Sequence, residues 1–265
     1  MSAATSKDPS RREPRLSVES GEEGRVLWLR LDAPPGNLLD RAMVLALRRA
    51  VGDAATRPAL RALVLSGAGA NFSYGASIQD HLPEKVAPFL EEFHALFRDL
   101  VALSLPCVAA VRGRCLGGGL ELAAFCQRFV AAPDAEFGQP EIELGVFAPV
   151  ASLVLPWRLR GGASDDLLLT GRRVAAGEAL ALGLVDALAD DPEAAALAWI
   201  RTHLLAKSAT ALRFAVQAAR AHFHAALLAQ LDAVERLYLD QLMRTPDASE
   251  GVHAFLEKRK PKFGN

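Results

Sequence analysis

"RCLGGGLELAA", residues 114–124, sets three consecutive glycines, Gly117, Gly118 and Gly119, two residues ahead of a lone acid, Glu121, in an otherwise apolar stretch. Glycine loses more backbone freedom on folding than any other residue, so a triplet at a helix start calls for a cause. A glycine-rich turn between strand and helix offers free N–H groups and the positive end of a helix dipole to an anion. Two diphosphate signatures fail here. In G-x-G-x-x-G counted from Gly117, the third glycine position holds Leu122, and no lysine follows as a phosphate loop requires. A backbone donor site without a diphosphate pattern remains, alongside a plain packing turn.

Working outward, "PCVAAVRG" reads as a strand before the glycines and "QRFVAAP" as one after the helix "GGLELAAFC". An earlier unit has the same layout. "RVLWLRLD" (25–32) alternates like a strand, Asn37 or Asp40 is placed to cap the helix "RAMVLALRRAVGDAA", and "LRALVLSGAG" is a second strand running into a loop. Between the units, Val86, Phe89, Leu90, Phe93, Leu96, Phe97, Leu100 and Val101 recur at helical spacing over 84–103. Repeated β–α layout with short connections predicts an α/β core. From about Ser152 the chain turns helical, with a long alanine- and leucine-rich stretch from Pro192 to Met243. The expected division is a leader at 1–24 without order, a core at 25–195 and a helical C-terminal region at 196–265.

Composition narrows the function. With 265 residues, 51% hydrophobic and 23% charged, the chain has material for one sizeable core. A net charge of −1 supplies no field for nucleic acid or an acidic membrane surface. Three cysteines without a CxxC argue against a disulfide framework or a zinc site and fit a reducing compartment, the cytoplasm. The six histidines form no HExxH, and there is no G-x-S-x-G elbow. No apolar run is long enough for a membrane span, and the leader lacks a signal peptide's apolar core. Neither a metal nor a separate cofactor is expected.

Two further stretches carry chemistry. Glu141 lies in "GQPEIELG", at the end of the β–α connection after the one that holds Glu121. Each acid alone has an ordinary reading, dipole compensation for Glu121 and a solvated loop acid for Glu141. Together, at successive connections, they can converge on one cleft and divide acid and base roles. The loop "NFSYGASIQDH" (71–81) sets a Gly-Ala-Ser turn before a helix, able to present the Ala76 N–H to a ligand oxygen, with Ser73, Tyr74 and Ser77 nearby.

In order, "FSYGASI", "VRGRCLGGGLELAAFC" and "FGQPEIELGVFAP" resemble the crotonase family, the enoyl-CoA hydratases and isomerases; so do "LLLTGRRVAAGEALALGLVD" and "EGVHAFLEKRKPKF". The resemblance runs from about Val26 to the C-terminus. It implies a spiral of ββα turns, a helical C-terminal trimerisation region, a trimer or hexamer, and a coenzyme A thioester substrate. It implies an oxyanion hole from the Ala76 and Gly118 N–H groups, Glu121 holding or activating water, and Glu141 exchanging a proton with the substrate carbon. Lys258, Arg259, Lys260 and Lys262 stand where the family tail helps hold coenzyme A phosphates. Ser77 replaces a common aspartate, and Phe147, Ala148 and Val150 replace a glycine-rich segment. Those departures imply a compact or cyclic acyl group and point to hydration of a cyclic dienoyl thioester. The alternatives are a general short-chain enoyl-CoA hydratase, an isomerase, and a non-catalytic acyl-CoA-binding relative.

Overall fold

The computed structural model describes residues 15–33 and 36–264. Strands β1 (Arg15–Gly21), β2 (Val26–Asp32), β3 (Ala62–Gly67) and β4 (Cys107–Val111) form the larger sheet together with β6 (Arg128–Ala131) and β9 (Ala187–Leu188). Its order is β1-β2-β3-β4-β6-β9, parallel throughout except for β1, which runs antiparallel to β2. A second sheet joins β5 (Arg114–Leu116), β7 (Glu136–Gly138) and β8 (Arg173–Ala175). The chain therefore lays β4 in the first sheet, β5 in the second, then the helix α3 (Gly118–Phe125), and repeats with β6 and β7. This is the ββα spiral implied by the resemblance.

The central strands are buried on both faces because alternate residues feed two cores. Leu27, Leu29, Leu31, Leu63, Leu65, Cys107 and Ala109 enter the main core, under α1 (Arg41–Ala55) and α2 (Val86–Leu103). Val26, Ala62, Val64, Val108 and Ala110 face the other way, onto Ala196 and Ile200 of α7 (Pro192–His203). The remaining helices are α4 (Pro149–Arg158), α5 (Ala163–Thr170), α6 (Ala176–Leu182), α8 (Ala209–Arg236) and α9 (Pro246–Leu256). The apolar spacing over 84–103 is a helix with Phe89, Phe93 and Phe97 buried on its core face. Phe97 meets Phe125 of α3 edge-on, with ring centres 5.6 Å apart.

Two expectations are corrected, and two details are added. Residues 15–21, placed in the leader, form β1: Leu16 packs against the core and the strand satisfies the β2 edge. Residues 1–14 of that leader lie outside the described residues. The boundary at 195/196 falls inside α7, whose apolar face covers the sheet and so belongs to the core. The stretch 192–243 is helical, in two main helices. It breaks after His203, Ser208 caps α8 by accepting from the Ala211 N–H at 3.3 Å, and the end winds into a π-helical turn at Leu237–Gln241. Finally, "RCL" separates from β4 as its own strand, because Gly113 takes a positive φ of 55° against the Ala70 carbonyl.

Among the described residues no helix is long and apolar enough to cross a membrane. Among those residues no group of three or more His, Cys, Asp or Glu is placed to hold a metal ion. Cys107, Cys115 and Cys126 are buried and unpaired.

Because β1 contributes an edge rather than a core layer, deleting residues 1–21 is expected to lower the melting temperature by roughly 2–6 °C and to increase aggregation. Calorimetry and light scattering on the truncated chain check this.

Candidate active site

The glycine triplet lets two backbone turns touch. Gly117 has φ 51° and ψ −130°, and a Cβ there would stand 2.6 Å from Glu141 Oε1. A Cβ on Gly119 would be 2.7 Å from the Ser73 Cβ, and one on Gly75 would be 2.9 Å from the Leu116 carbonyl oxygen. Each glycine removes a specific collision, so the loop 73–76 can lie directly on the start of α3.

That loop is braced from behind. Asn37, a candidate cap, does not cap α1; Asp40 does, accepting from the Met43 N–H at 2.8 Å. Asn37 sits buried in the left-handed region, donates to the Asn71 and Phe72 carbonyls and accepts from the Ala33 N–H. Ser73 is fully buried too. Its hydroxyl donates to the Asn37 carbonyl at 2.8 Å and accepts from the Gly75 N–H at 3.0 Å. Proposed as a substrate contact, Ser73 instead shapes the loop, because both its hydrogen bonds are spent on backbone.

Two N–H groups are left over. Leu39 and Ala76 form an isolated parallel bridge in which Leu39 donates to the Gly75 carbonyl and Ser77 donates to Leu39. The Ala76 N–H faces the other way and meets no acceptor among the described residues. Gly118 opens α3, so its N–H has no carbonyl within the helix. The two turns meet closely: a Cβ on Gly118 would be 3.5 Å from the Ala76 nitrogen and 3.7 Å from Glu121 Oε2. Two free donors and a carboxylate thus converge at one spot.

Glu121 does not serve its own helix dipole. It is 3% exposed, and its Oε1 accepts from the Ala151 N–H of α4 at 2.7 Å. The carboxylate therefore caps the following helix while Oε2 faces Gly118. Burial pushes its pKa up from the ordinary carboxylate value, and the Ala151 and Val150 N–H groups pull part of the way back. Glu141, on the helical turn Pro140–Leu144, is also raised, first by burial and then by the charge of Glu121. The helix-start donors favour the ionised form at Glu121, and the charge of Glu121 adds to the rise at Glu141.

Gln139 was missed by sequence reasoning. It is buried, and with its amide nitrogen turned to Glu141 it donates to both carboxylate oxygens, at 3.2 and 2.9 Å. Turned the other way, its carbonyl accepts from the protonated acid, so one amide can serve both charge states.

A cavity of ≈ 50 Å³ is lined by Tyr74, Ala76, Gly117, Glu141, Val146 and, from α9, Val252, among others. Tyr74 is half-exposed at its mouth, with the Arg114 guanidinium 5.7 Å from the ring centre. Ser77 begins a short helical turn and accepts from His81 Nδ1 through its carbonyl at 3.0 Å; its hydroxyl does not line the cavity. Phe147 packs edge-on against Tyr238, with ring centres 5.3 Å apart. Lys258 and Lys260 are exposed, while Arg259 is paired with Glu250 and Glu257. None of these tail cations lines the cavity, although Phe263 reaches back to Gly145 beside Glu141. A hollow of ≈ 270 Å³ near Trp157 and Arg220 contains neither acid.

Comparison with known proteins places this geometry among relatives. The family model described as enoyl-CoA hydratase/isomerase matches residues 21–265. The chain is 48% identical over 250 residues to cyclohexa-1,5-dienecarbonyl-CoA hydratase of Thauera aromatica, covering 94% of this chain and 97% of that protein. It is 34% identical to 2,3-dehydroadipyl-CoA hydratase of Escherichia coli strain K12, covering 90% and 95%. Among solved structures, an enoyl-CoA hydratase from Mycobacterium avium superposes with a TM-score of 0.82 at 30% identity, covering 93% and 97%.

Two expectations follow from the geometry. A carboxyl whose pKa is raised by folding keeps its proton in the folded state while the unfolded chain has released it. Its cost to stability is therefore absent below the ordinary value of 4.5 and grows as pH rises through the raised folded value. Glu141→Gln is expected to gain in melting temperature over the parent, with a larger margin at pH 8 than at pH 5. Gly119→Ala is expected to destabilise by about 1–3 kcal/mol, since its Cβ collides with the fully buried Ser73. Thermal melts across pH and urea titration measure the two.

Proposed function

The chain belongs to the enoyl-CoA hydratase/isomerase family, and from that premise we propose that it hydrates cyclohexa-1,5-diene-1-carbonyl-CoA or a closely similar cyclic dienoyl thioester. The observation that carries this reading is the convergence of two carboxylates on the paired free N–H groups of Ala76 and Gly118. The 48% identity to the Thauera hydratase supports the cyclic acyl group, as do the apolar residues Phe147, Ala148 and Val150 beside the site.

In this mechanism the thioester oxygen accepts from the Ala76 and Gly118 N–H groups. Charge that develops there as the enolate forms is met by donors already in place, each worth about 2.7–4 kcal/mol in comparable sites. Ionised Glu121 takes a proton from water as the oxygen bonds to carbon. Protonated Glu141 delivers its proton to the neighbouring carbon, and the pair re-equilibrates by passing one proton back. One water is consumed, and the two acids carry every proton, so the reaction needs no cofactor besides the coenzyme A of the substrate. The burial that raises both carboxyls, together with their mutual repulsion, favours the singly ionised pair this scheme requires.

Lys260 and the neighbouring tail cations are assigned to coenzyme A phosphates, and Tyr74 to the cavity mouth. A trimer or a dimer of trimers is assigned as the assembly. The exposed Trp157, Leu169, Phe214 and Leu228 leave apolar surface for subunit contact, and multi-angle light scattering measures the mass.

Purified protein is expected to add one water to the cyclic dienoyl thioester with the ring intact, faster than to crotonyl-CoA, as read by mass spectrometry. Glu121→Gln and Glu141→Gln should each lower turnover roughly 10²–10⁴-fold while thioester binding is largely kept. Inertness toward both thioesters defeats the hydratase reading. A shifted double bond without gain of water favours isomerisation.

A further inference from the structure

Tyr238 has no place in the scheme above, yet its surroundings belong to it. The residue lies on the π-helical turn Leu237–Gln241, directly after the 28 residues of α8. A π turn is wider than an α turn and occurs frequently at functional sites. Here Leu237 is left exposed at 45%, while Tyr238 is turned inward to 1%.

Its hydroxyl has no hydrogen-bond partner among the described residues. A buried, unpaired hydroxyl is costly and calls for a specific cause. The ring stands edge-on against Phe147. Phe147 lies between Val146, which lines the cavity with Glu141, and the start of α4, whose Ala151 N–H holds Glu121. The phenol sits within the field of both acids: burial first, then the charges of Glu141 and Glu121, push its ionisation upward. It therefore stays a neutral O–H, able to donate.

We infer that the Tyr238 hydroxyl is a third polar group of the cleft, a catalytic residue that donates a hydrogen bond to the oxygen added to the acyl group. This inference rests on the hydration proposed above. The attacking water gives one proton to Glu121 and uses one lone pair to form the carbon–oxygen bond. Its second lone pair accepts from Tyr238, which keeps its own proton throughout. In the reverse direction the same bond steadies the departing hydroxide. The unpaired hydroxyl is then a donor waiting for the substrate's oxygen.

The test compares two thioesters that differ by one hydroxyl, 2-hydroxycyclohexane-1-carbonyl-CoA and cyclohexanecarbonyl-CoA. Calorimetric binding is measured to the full chain carrying Glu141→Gln, which prevents turnover, with and without Tyr238→Phe. Losing the phenol is expected to weaken the hydroxylated thioester about tenfold and leave the other unchanged. In the otherwise unaltered chain, Tyr238→Phe should slow hydration about tenfold. Its melting temperature should stay level or rise by about 2 °C, because an unpaired buried hydroxyl is removed. Equal weakening of both thioesters would show that the ring only shapes the pocket, and no weakening of either would leave the hydroxyl without a role; each overturns the inference alone. A chain that binds neither thioester refutes the acyl-CoA reading and this inference with it.

Discussion

The site depends on one close approach of backbone to backbone. The turn at Gly75–Ala76 lies on the turn at Gly117–Gly119 with no room for a side chain on Gly75, Gly117 or Gly119. Everything behind these turns maintains that contact. Asn37 and Ser73 use buried hydrogen bonds to fix the first turn, and β5, pairing with both Ser73 and β7, fixes the second. Free N–H groups are costly inside a protein unless something occupies them, so holding two side by side is what a developing oxyanion needs. The glycines thus trade local chain freedom for a donor pair that requires no rearrangement during reaction.

The same contact sorts the two acids. Glu121 leaves α3 toward the start of α4 and accepts there from a helix that needs an acceptor. Glu141 arrives from the next β–α connection onto Gly117, has one helix-start donor, its own N–H, where Glu121 has two, and meets a buried amide that can turn either way. Glu121 is buried and Glu141 half-buried, and the partners of the two carboxyls bias them toward unequal proton affinity. That asymmetry comes from what each side chain reaches, since both lie in the same cleft.

What the sequence discloses follows from which contacts are local. The α/β layout, the amphipathic helix over 86–103 and the glycine turn before Glu121 depend on neighbours a few residues away, and the spacing reveals them. The pairing of Glu121 and Glu141 was legible from their places at successive connections, and their separate roles through the ordered motifs of the family. Three features were not legible because their causes are distant in the chain. β1 takes its order from the β2 edge, and Ser73 is buried by Gly119, forty-six residues on. Tyr238 sits in a polar-looking helix whose inward turn comes from a π turn that no residue pattern announces.

This distribution also separates chemistry from selectivity. The donor pair and Glu121 are built from β–α connections of the spiral, where parallel strands leave little freedom. The wall around them includes Val146 and, from α9, Val252, while Phe147, next to Val146, packs on Tyr238 at the end of α8. These elements pack on the core without pairing in either sheet, so their side chains can vary without moving the Ala76 and Gly118 N–H groups. A rigid donor pair with a separately supplied wall lets one spiral serve thioesters of different acyl shape. In this chain the wall is largely apolar, and Tyr238, packed on Phe147, carries a buried hydroxyl without a partner among the described residues. The proposed hydration places one oxygen on one carbon of a flat ring, a task suited to apolar surface with one fixed donor.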